Sequence, residues 1–349
     1  MSLSQSIFEL AQKHPKRKPG SVALKDVFTE LKKIAATWGV NTELQKIPVY
    51  NFKISLLAFV TGSIGAVLLS LVSPGLGLVL AIGLFWLFLR ELIQPFLAKI
   101  KPTPGENFII QIPARSKENQ KIILAANIST DSFFEPGPGV SVRLFLIVVY
   151  ALGLLIPVCL LLYWWLRASY FQYFTVIPIL TLFFISLYTR KTATLDSNLN
   201  KASVLLEVGD ILLKSRPLST SVTLFFTGAK SLNSGALPLS QFLKTSRAPL
   251  NYVINLTDLP DKRINVVTAD GEIISRPSEP LLIDYMMEIS REKKIPIQDI
   301  RLQQFTETYP LKFKKIMTVS LTHPQEAYSG ENANRDLREL LLGIIRKLD

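Results

Sequence analysis

The most constraining feature of this sequence is where charge is missing. Ile54 to Leu89 contains no charged residue over 36 positions, and Leu144 to Thr189 contains only Arg167. A helix needs ~20 apolar residues to cross the hydrocarbon core of a bilayer. Ser73-Pro74-Gly75 interrupts the first stretch, and proline followed by glycine ends a helix and turns the chain. The pattern predicts a hairpin of two membrane helices over 54–72 and 76–97, with Arg90 and Glu91 near the interface. Arg167 divides the second stretch into 23 uncharged residues, Leu144–Leu166, and 22 more, Ala168–Thr189, a second hairpin. Such runs also suit the buried helices of a large soluble core, a reading that their length disfavours.

Four spans place every long polar segment on one side. That side carries Lys46, Lys53, Arg90, Lys99, Lys101, Arg143, Arg190 and Lys191, and the other only Arg167. Lysine and arginine flanks favour the cytoplasmic face. The expectation is an integral membrane protein with both termini and the polar mass in the cytoplasm. The first apolar run begins about fifty residues in and lacks a cleavage-like end, unlike a signal peptide.

Composition narrows the function classes. The 39 basic residues against 27 acidic give a net charge of +12, suited to anionic lipid head groups. The basic residues are scattered and accompany no nucleic-acid reading motif, so a nucleic-acid partner is not expected. One cysteine excludes an intramolecular disulfide framework and a zinc site of several thiolates, and two histidines make a histidine-rich metal centre hard to build. The spans hold no ionisable side chain away from their ends, which argues against an ion pathway.

The polar segments read as one interrupted α/β domain. Ser21 to Trp38 places Leu24, Val27, Phe28, Leu31, Ile34 and Ala35 on one helical face, with Ser21 as N-cap and Gly39 beyond the end. Phe108–Ile112 and Ile122–Ala126 read as strands joined by a polar turn, Arg115–Gln120. Asn198–Lys214 is a helix, Val222–Phe226 and Tyr252–Leu256 are buried strands, and Asp270-Gly271 marks a hairpin within Val266–Ile274. Leu281–Glu292 and Arg335–Leu348 are helices. Strands alternating with helices predict a mainly parallel sheet with helices on both faces. The expected organisation is residues 1–53 as the first part of this domain, 54–98 as a membrane hairpin, 99–143 as its strand pair, 144–189 as the second hairpin and 190–349 as its remainder.

The order of these segments resembles the co-catalytic di-zinc aminopeptidase superfamily, which includes glutaminyl cyclases and non-enzymatic relatives such as transferrin receptor and nicastrin. Pro19-Gly20-Ser21 and the helix ending Trp38-Gly39-Val40 are similar to the family's N-terminal helix. Asn107 to Ser129 resembles its strand pair ending "I-x-x-A-H-x-D". Leu195 to Glu207 resembles "A-x-D-N-A-S-G-x-A-x-L-L-E", and Leu224 to Ala236 resembles "F-x-x-x-G-E-E-x-G-L-x-G-S". Asn255-Leu256 is similar to "I-N-L-D-M", and Leu321 to Glu326 to a late "H-T-x-x-D" segment.

That resemblance implies a two-zinc centre held by carboxylates and histidines, with a glutamate as general base. The residues depart from it. Asn127 occupies the histidine-ligand position, and Ser129 that of the aspartate orienting it. Ser197 falls on the bridging aspartate, Ala229 and Lys230 on the glutamate pair, and Thr257 on a later aspartate. Only His323 matches a ligand by type. A protonated lysine has no acceptor to offer a dication, and alanine cannot take a proton from water. The implied protein is a pseudopeptidase with neither catalytic residues nor zinc. Its old cleft, lined by Asn127, Ser129, Ser197, Ala229, Lys230, Thr257 and His323, would take a peptide, protein or membrane-complex partner, with Lys230 either receiving a carboxylate or serving as an ordinary surface lysine. The alternative is a membrane zinc metallopeptidase with a rearranged ligand set of His323, Asp196 and Asp258, joined by Glu307. A third reading is a membrane-organising protein whose polar body only stabilises the hairpins.

The remaining singular residues have plain roles. His14 lies among Lys13, Lys16, Arg17 and Lys18, read as a solvated basic surface. His323, before Pro324, is expected on a loop. Cys159 fills apolar space mid-span, and Tyr163, Trp164, Trp165 and Tyr170 form an interfacial aromatic belt. Asp196, Ser197 and Asn198 cap the helix that follows. Gly62, Gly65 and Gly83 allow close helix packing.

Overall fold

The structure is a computed structural model. It describes residues 6–7, 9–10, 13–14, 17, 20–49, 52–93, 103–130, 142–188, 198–229, 250–259, 263–271, 275–302, 306, 308–312, 316–324 and 330–349. The elements in chain order are α1 (Val22–Thr37), β1 (Asn41–Val49), α2 (Phe52–Val72), α3 (Pro74–Ile93), β2 (Thr103–Ile112), β3 (Gln120–Asn127), α4 (Val142–Leu166), α5 (Tyr170–Phe174) and α6 (Val176–Tyr188). They continue as α7 (Asn198–Lys214), β4 (Thr220–Thr227), β5 (Leu250–Leu259), β6 (Ile264–Asp270), β7 (Arg276–Pro277), α8 (Pro280–Lys293), β8 (Ile297–Leu302), α9 (Tyr309–Lys312), β9 (Met317–Pro324) and α10 (Gly330–Leu348). Two compact units result. One combines Met1–Val49, Thr103–Asp131 and Ala193–Asp349, and the other Tyr50–Pro102 and Ser132–Thr192.

The second unit is helical. Among the described residues, three of its segments are long and apolar enough to cross a membrane by length and composition, over Ile54–Val72, Leu144–Leu166 and Tyr170–Leu187. This corrects the expectation of four spans. The apolar part of α3 runs only from Pro74 to Arg90, because the charges of Arg90 and Glu91 enter its last turns. Val72, Trp165 and Tyr173 are 86%, 74% and 73% exposed, which a soluble core would not leave open to water. Inside the unit, one buried amide finds its partner on a neighbouring helix, as an apolar surrounding favours. Gln172 Nε2 donates to Ser70 Oγ at 2.8 Å, tying α5 to α2. Pro178 has no N–H for the helix ladder, and beside it Thr175 Oγ1 donates to Gln172 O at 2.6 Å where α5 gives way to α6.

The first unit is built on a nine-stranded sheet in the order β1-β2-β4-β3-β5-β9-β6-β7, with β8 also paired to β6. The expectation of a mainly parallel sheet with helices on both faces is wrong. The sheet is mixed: β1–β2, β2–β4, β6–β7 and β6–β9 are antiparallel, and β3–β4, β3–β5, β5–β9 and β6–β8 are parallel. Over the whole chain, more of the described residues lie in helices than in strands. Parallel pairing needs a crossover helix laid on the sheet, but the helices between β1 and β2 belong to the other unit. The segments read as a strand pair also do not pair with each other, because β4 lies between β2 and β3.

The long helices α1, α7, α8 and α10 share one apolar core with a single sheet face. That core includes Phe28, Leu205, Met286 and Leu341 from the helices and Phe108, Leu124, Phe226 and Leu256 from the strands. On the opposite face Ile109, Ile123, Ala125, Phe225 and Val253 meet Leu311 of α9 and, among the described residues, Ile316. Local sequence explains α1 well. Ser21 Oγ accepts the Leu24 N–H at 3.2 Å, and Gly39 takes the left-handed φ of +63° that stops the helix.

The Asp270-Gly271 signal plays out differently from the short turn it predicts. Asp270 pairs in register with Arg276, so the hairpin has a longer connection. The Asp270 side chain is fully buried and bonds Lys312 Nζ, the Thr306 hydroxyl and, at 3.3 Å, the Thr306 N–H. Burial pushes the Lys312 ammonium below the usual lysine range, and the Asp270 charge opposes that shift.

Candidate functional site

Strands β4, β3, β5 and β9 run parallel to one another. Their C-terminal ends therefore fall on one margin of the sheet, where ligand sites of open α/β sheets gather. That margin brings together Asn127 at the end of β3, Gly228-Ala229 after β4, Thr257-Asp258 on β5 and His323 on β9. His323 lies within β9, paired in register with Asp258, and the loop expected for it is corrected to strand. Asp196, Ser197, Lys230 and Glu307 lie outside the described residues.

The two positions at the end of β3 are bonded to each other. Asn127 Oδ1 accepts the Ser129 N–H at 2.8 Å and the Ser129 hydroxyl at 3.0 Å, and both residues are buried. This local bond turns the chain as the strand ends. After β4, Gly228 meets main chain. A Cβ there would stand 2.0 Å from Glu106 O, so only glycine lets the backbone pass. The Gly228 N–H reaches Asn107 Oδ1 at 3.3 Å. Ala229, which follows, is fully buried and offers a methyl group. Thr257 is half-buried, and Thr322, its register partner, is buried. Among the described residues, no three His, Cys, Asp or Glu side chains come together in a group that could hold a metal ion.

Arg17 is the residue that sequence reasoning missed here. The basic run around His14 is not all solvated surface, because Arg17 is fully buried. Its Nε donates to Ile128 O at 3.0 Å, and its Nη1 to His14 O at 2.6 Å. Its main-chain N–H donates to Thr130 Oγ1 at 2.7 Å, and Thr130 N–H returns to Arg17 O at 3.1 Å. Arg17 thus clamps the segment just beyond Asn127. Pro15 and Pro19 bracket it in sequence, the one local sign that sets Arg17 apart from a solvated lysine run. Lys201, one turn into α7 beyond Ser197, is also buried.

No family model matches the sequence, and no curated protein matches it. Solved structures do match its fold. A glutaminyl cyclase from an Acidobacteriales bacterium superposes with a TM-score of 0.53 at 12% identity, covering 99% of this chain and 93% of that one. The zinc aminopeptidase BSAP from Bacillus subtilis gives 0.53 at 10% identity, over 99% and 94% of the two chains. The LapA aminopeptidase of Legionella pneumophila gives 0.52 at 10% identity, over 99% and 71%. The chain therefore shares the fold of these aminopeptidases and glutaminyl cyclase.

Proposed function

We propose that this chain is a membrane-associated pseudopeptidase, a non-catalytic protein that binds a peptide or protein partner at the C-terminal margin of its sheet. The observation that carries this reading is the state of Asn127. Its carboxamide oxygen is spent on Ser129, two residues on, where the aminopeptidase resemblance requires a metal-ligating imidazole. The buried methyl of Ala229, at the position of the general base, supports the same reading, since a methyl group cannot activate water. A fold outlasts the chemistry it once carried, and the margin retains a framework for binding. The basic flanks of the apolar runs favour a cytoplasmic position for the sheet unit.

The test is metal content per chain of detergent-purified protein supplied with zinc during expression, followed by peptide hydrolysis with and without chelator. Near-zero zinc and no chelator-sensitive hydrolysis are expected. About two zinc ions per chain, the content of a two-metal centre, would overturn the reading. One observation favours the alternative of a rearranged metallopeptidase. Asp258 and His323, two of its candidate ligands, are register neighbours on β5 and β9. Zinc lost on His323→Ala together with hydrolysis would establish it. Labelling of a cysteine placed at Ser169 by an impermeant reagent added outside intact cells tests the topology, and protection there would invert it.

A further inference from the structure

The sheet face turned away from the four long helices carries a polar row along its C-terminal margin. Asn107 on β2 is paired in register with Thr227 on β4, and Thr227 with Asn127 on β3. Ala126 pairs with Leu256, so Thr257 follows beside Asn127, and Thr257 pairs with Thr322 on β9. Residues paired directly across strands project from the same face. Asn107, Thr227 and Asn127 alternate in step with Ile109, Phe225 and Ala125, which places them on the face opposite the main core. The row holds amides and hydroxyls and no charge.

Two of its members are buried with bonds unmade. Asn107 is 0% exposed and Thr227 is 2% exposed. Asn107 Oδ1 accepts the Gly228 N–H, which fixes the orientation of the amide and leaves Nδ2 as a donor. Among the described residues, neither Asn107 Nδ2 nor Thr227 Oγ1 has a hydrogen-bond partner. Buried polar side chains are seldom left this way. Here a donor and a hydroxyl acceptor stand side by side on adjacent strands, with Cβ atoms ~4.5–5.5 Å apart. One residue of an extended peptide, whose N–H and C=O lie on the same edge, satisfies both.

Resting on the partner-binding reading above, we propose that Asn107 and Thr227 form a recognition site for the main-chain N–H and C=O of one residue of an extended peptide partner. The partner's carbonyl accepts from Asn107 Nδ2, and its N–H donates to Thr227 Oγ1. Recognition is through neutral hydrogen bonds and needs no terminal carboxylate. Both atoms are shielded from water, so a bond made there is not weakened by solvent competition.

The test is equilibrium dialysis of the full chain in detergent against isotope-labelled N-acetyl-trialanine amide, a probe without charge, and against N-acetyl-trialanine with a free carboxylate. The expected result is binding of the capped probe, with no gain from the carboxylate. Asn107→Leu and Thr227→Val each weaken it about tenfold, the loss when one buried polar group goes unpaired. Thr227→Ser keeps the hydroxyl and binds as the native chain does, which separates recognition from folding defects. Equal binding by Asn107→Leu, or binding of the carboxylate probe alone, overturns the proposal. So does no binding of either probe. Photo-crosslinking from Thr257 in native membranes then separates the two failures. A crosslinked partner undiminished by Asn107→Leu overturns the amide row alone, and no crosslink at all overturns the partner-binding reading with it.

Discussion

Lys312→Met would expose how much the first unit depends on one buried ion pair. Lys312 and Asp270 side chains are 4% and 0% exposed. The lysine ammonium also reaches Ser278 Oγ at 3.0 Å and Arg276 O at 3.3 Å, so it joins β6, β7 and α9. Ser278 keeps its own bond to Val267 O at 2.6 Å without the lysine. The damage therefore concentrates on the Asp270 carboxylate, left charged and sealed from water with only Thr306 as donor. Removing one partner of a buried pair costs about 3–5 kcal/mol, or roughly 10²–10⁴ in the folding equilibrium. Native-state hydrogen exchange of β6 and β9 amides in the detergent-solubilised chain reads that loss directly. Asp270→Asn combined with Lys312→Met removes both charges while keeping an oxygen for Thr306, and should recover most of the protection. The pH dependence carries a second signature. The folded lysine value lies below the unfolded one, so between the two the unfolded chain binds more protons and native stability rises with pH. Lys312→Met abolishes that alkaline rise. A loss under about 1 kcal/mol at neutral pH, or a double variant as damaged as the sum of the singles, would refute the assignment of this pair as the fastener of α9.

Three further outcomes are expected. Burial alone would raise the Asp349 carboxyl, but N–H groups of Leu218, Ser219 and Thr220 hold it below the usual range, so its contribution is present above the ordinary carboxylate range and lost as pH falls through the folded value. Asp349→Asn should therefore flatten the acid limb of a stability-against-pH profile measured by thermal unfolding. Ser21→Ala removes the N-cap bond of α1 and should cost ~1 kcal/mol in denaturant titration, with Ser21→Asp recovering it. Gly228→Ala drives a Cβ into Glu106 O, and a melt should show a loss of at least ~1–3 kcal/mol, with protease cleavage appearing at the end of β4.

Much of the site is legible as a list of positions and little of it as chemistry. The residues at the ends of β3, β5 and β9 come from strand-end positions that short-range pattern identifies, and the topology gathers them on one margin. The Asn127–Ser129 bond spans two residues, and its residue types permit it, yet the sequence offers no reason to prefer it over a turn toward a ligand. The burial of Arg17 is invisible in the sequence, because its partners Ile128 and Thr130 lie more than a hundred residues away. The unmade bonds of Asn107 and Thr227 depend on a register between strands separated by more than a hundred residues, which no local pattern encodes.

The sequence by itself determined the features whose physics is local. Long uncharged runs make helices that water would not tolerate exposed, and Ser21 with Gly39 bounds α1 because capping acts within one turn. Tertiary structure alone decided strand order and which face the helices cover. Periodicity states that a strand is buried but not beside which neighbour, so β4 could enter between β2 and β3 without altering any local signal. Asp270 makes the same point within one residue. Its place before glycine marks a turn, but its carboxylate is buried because Lys312, 42 positions on, folds back to meet it.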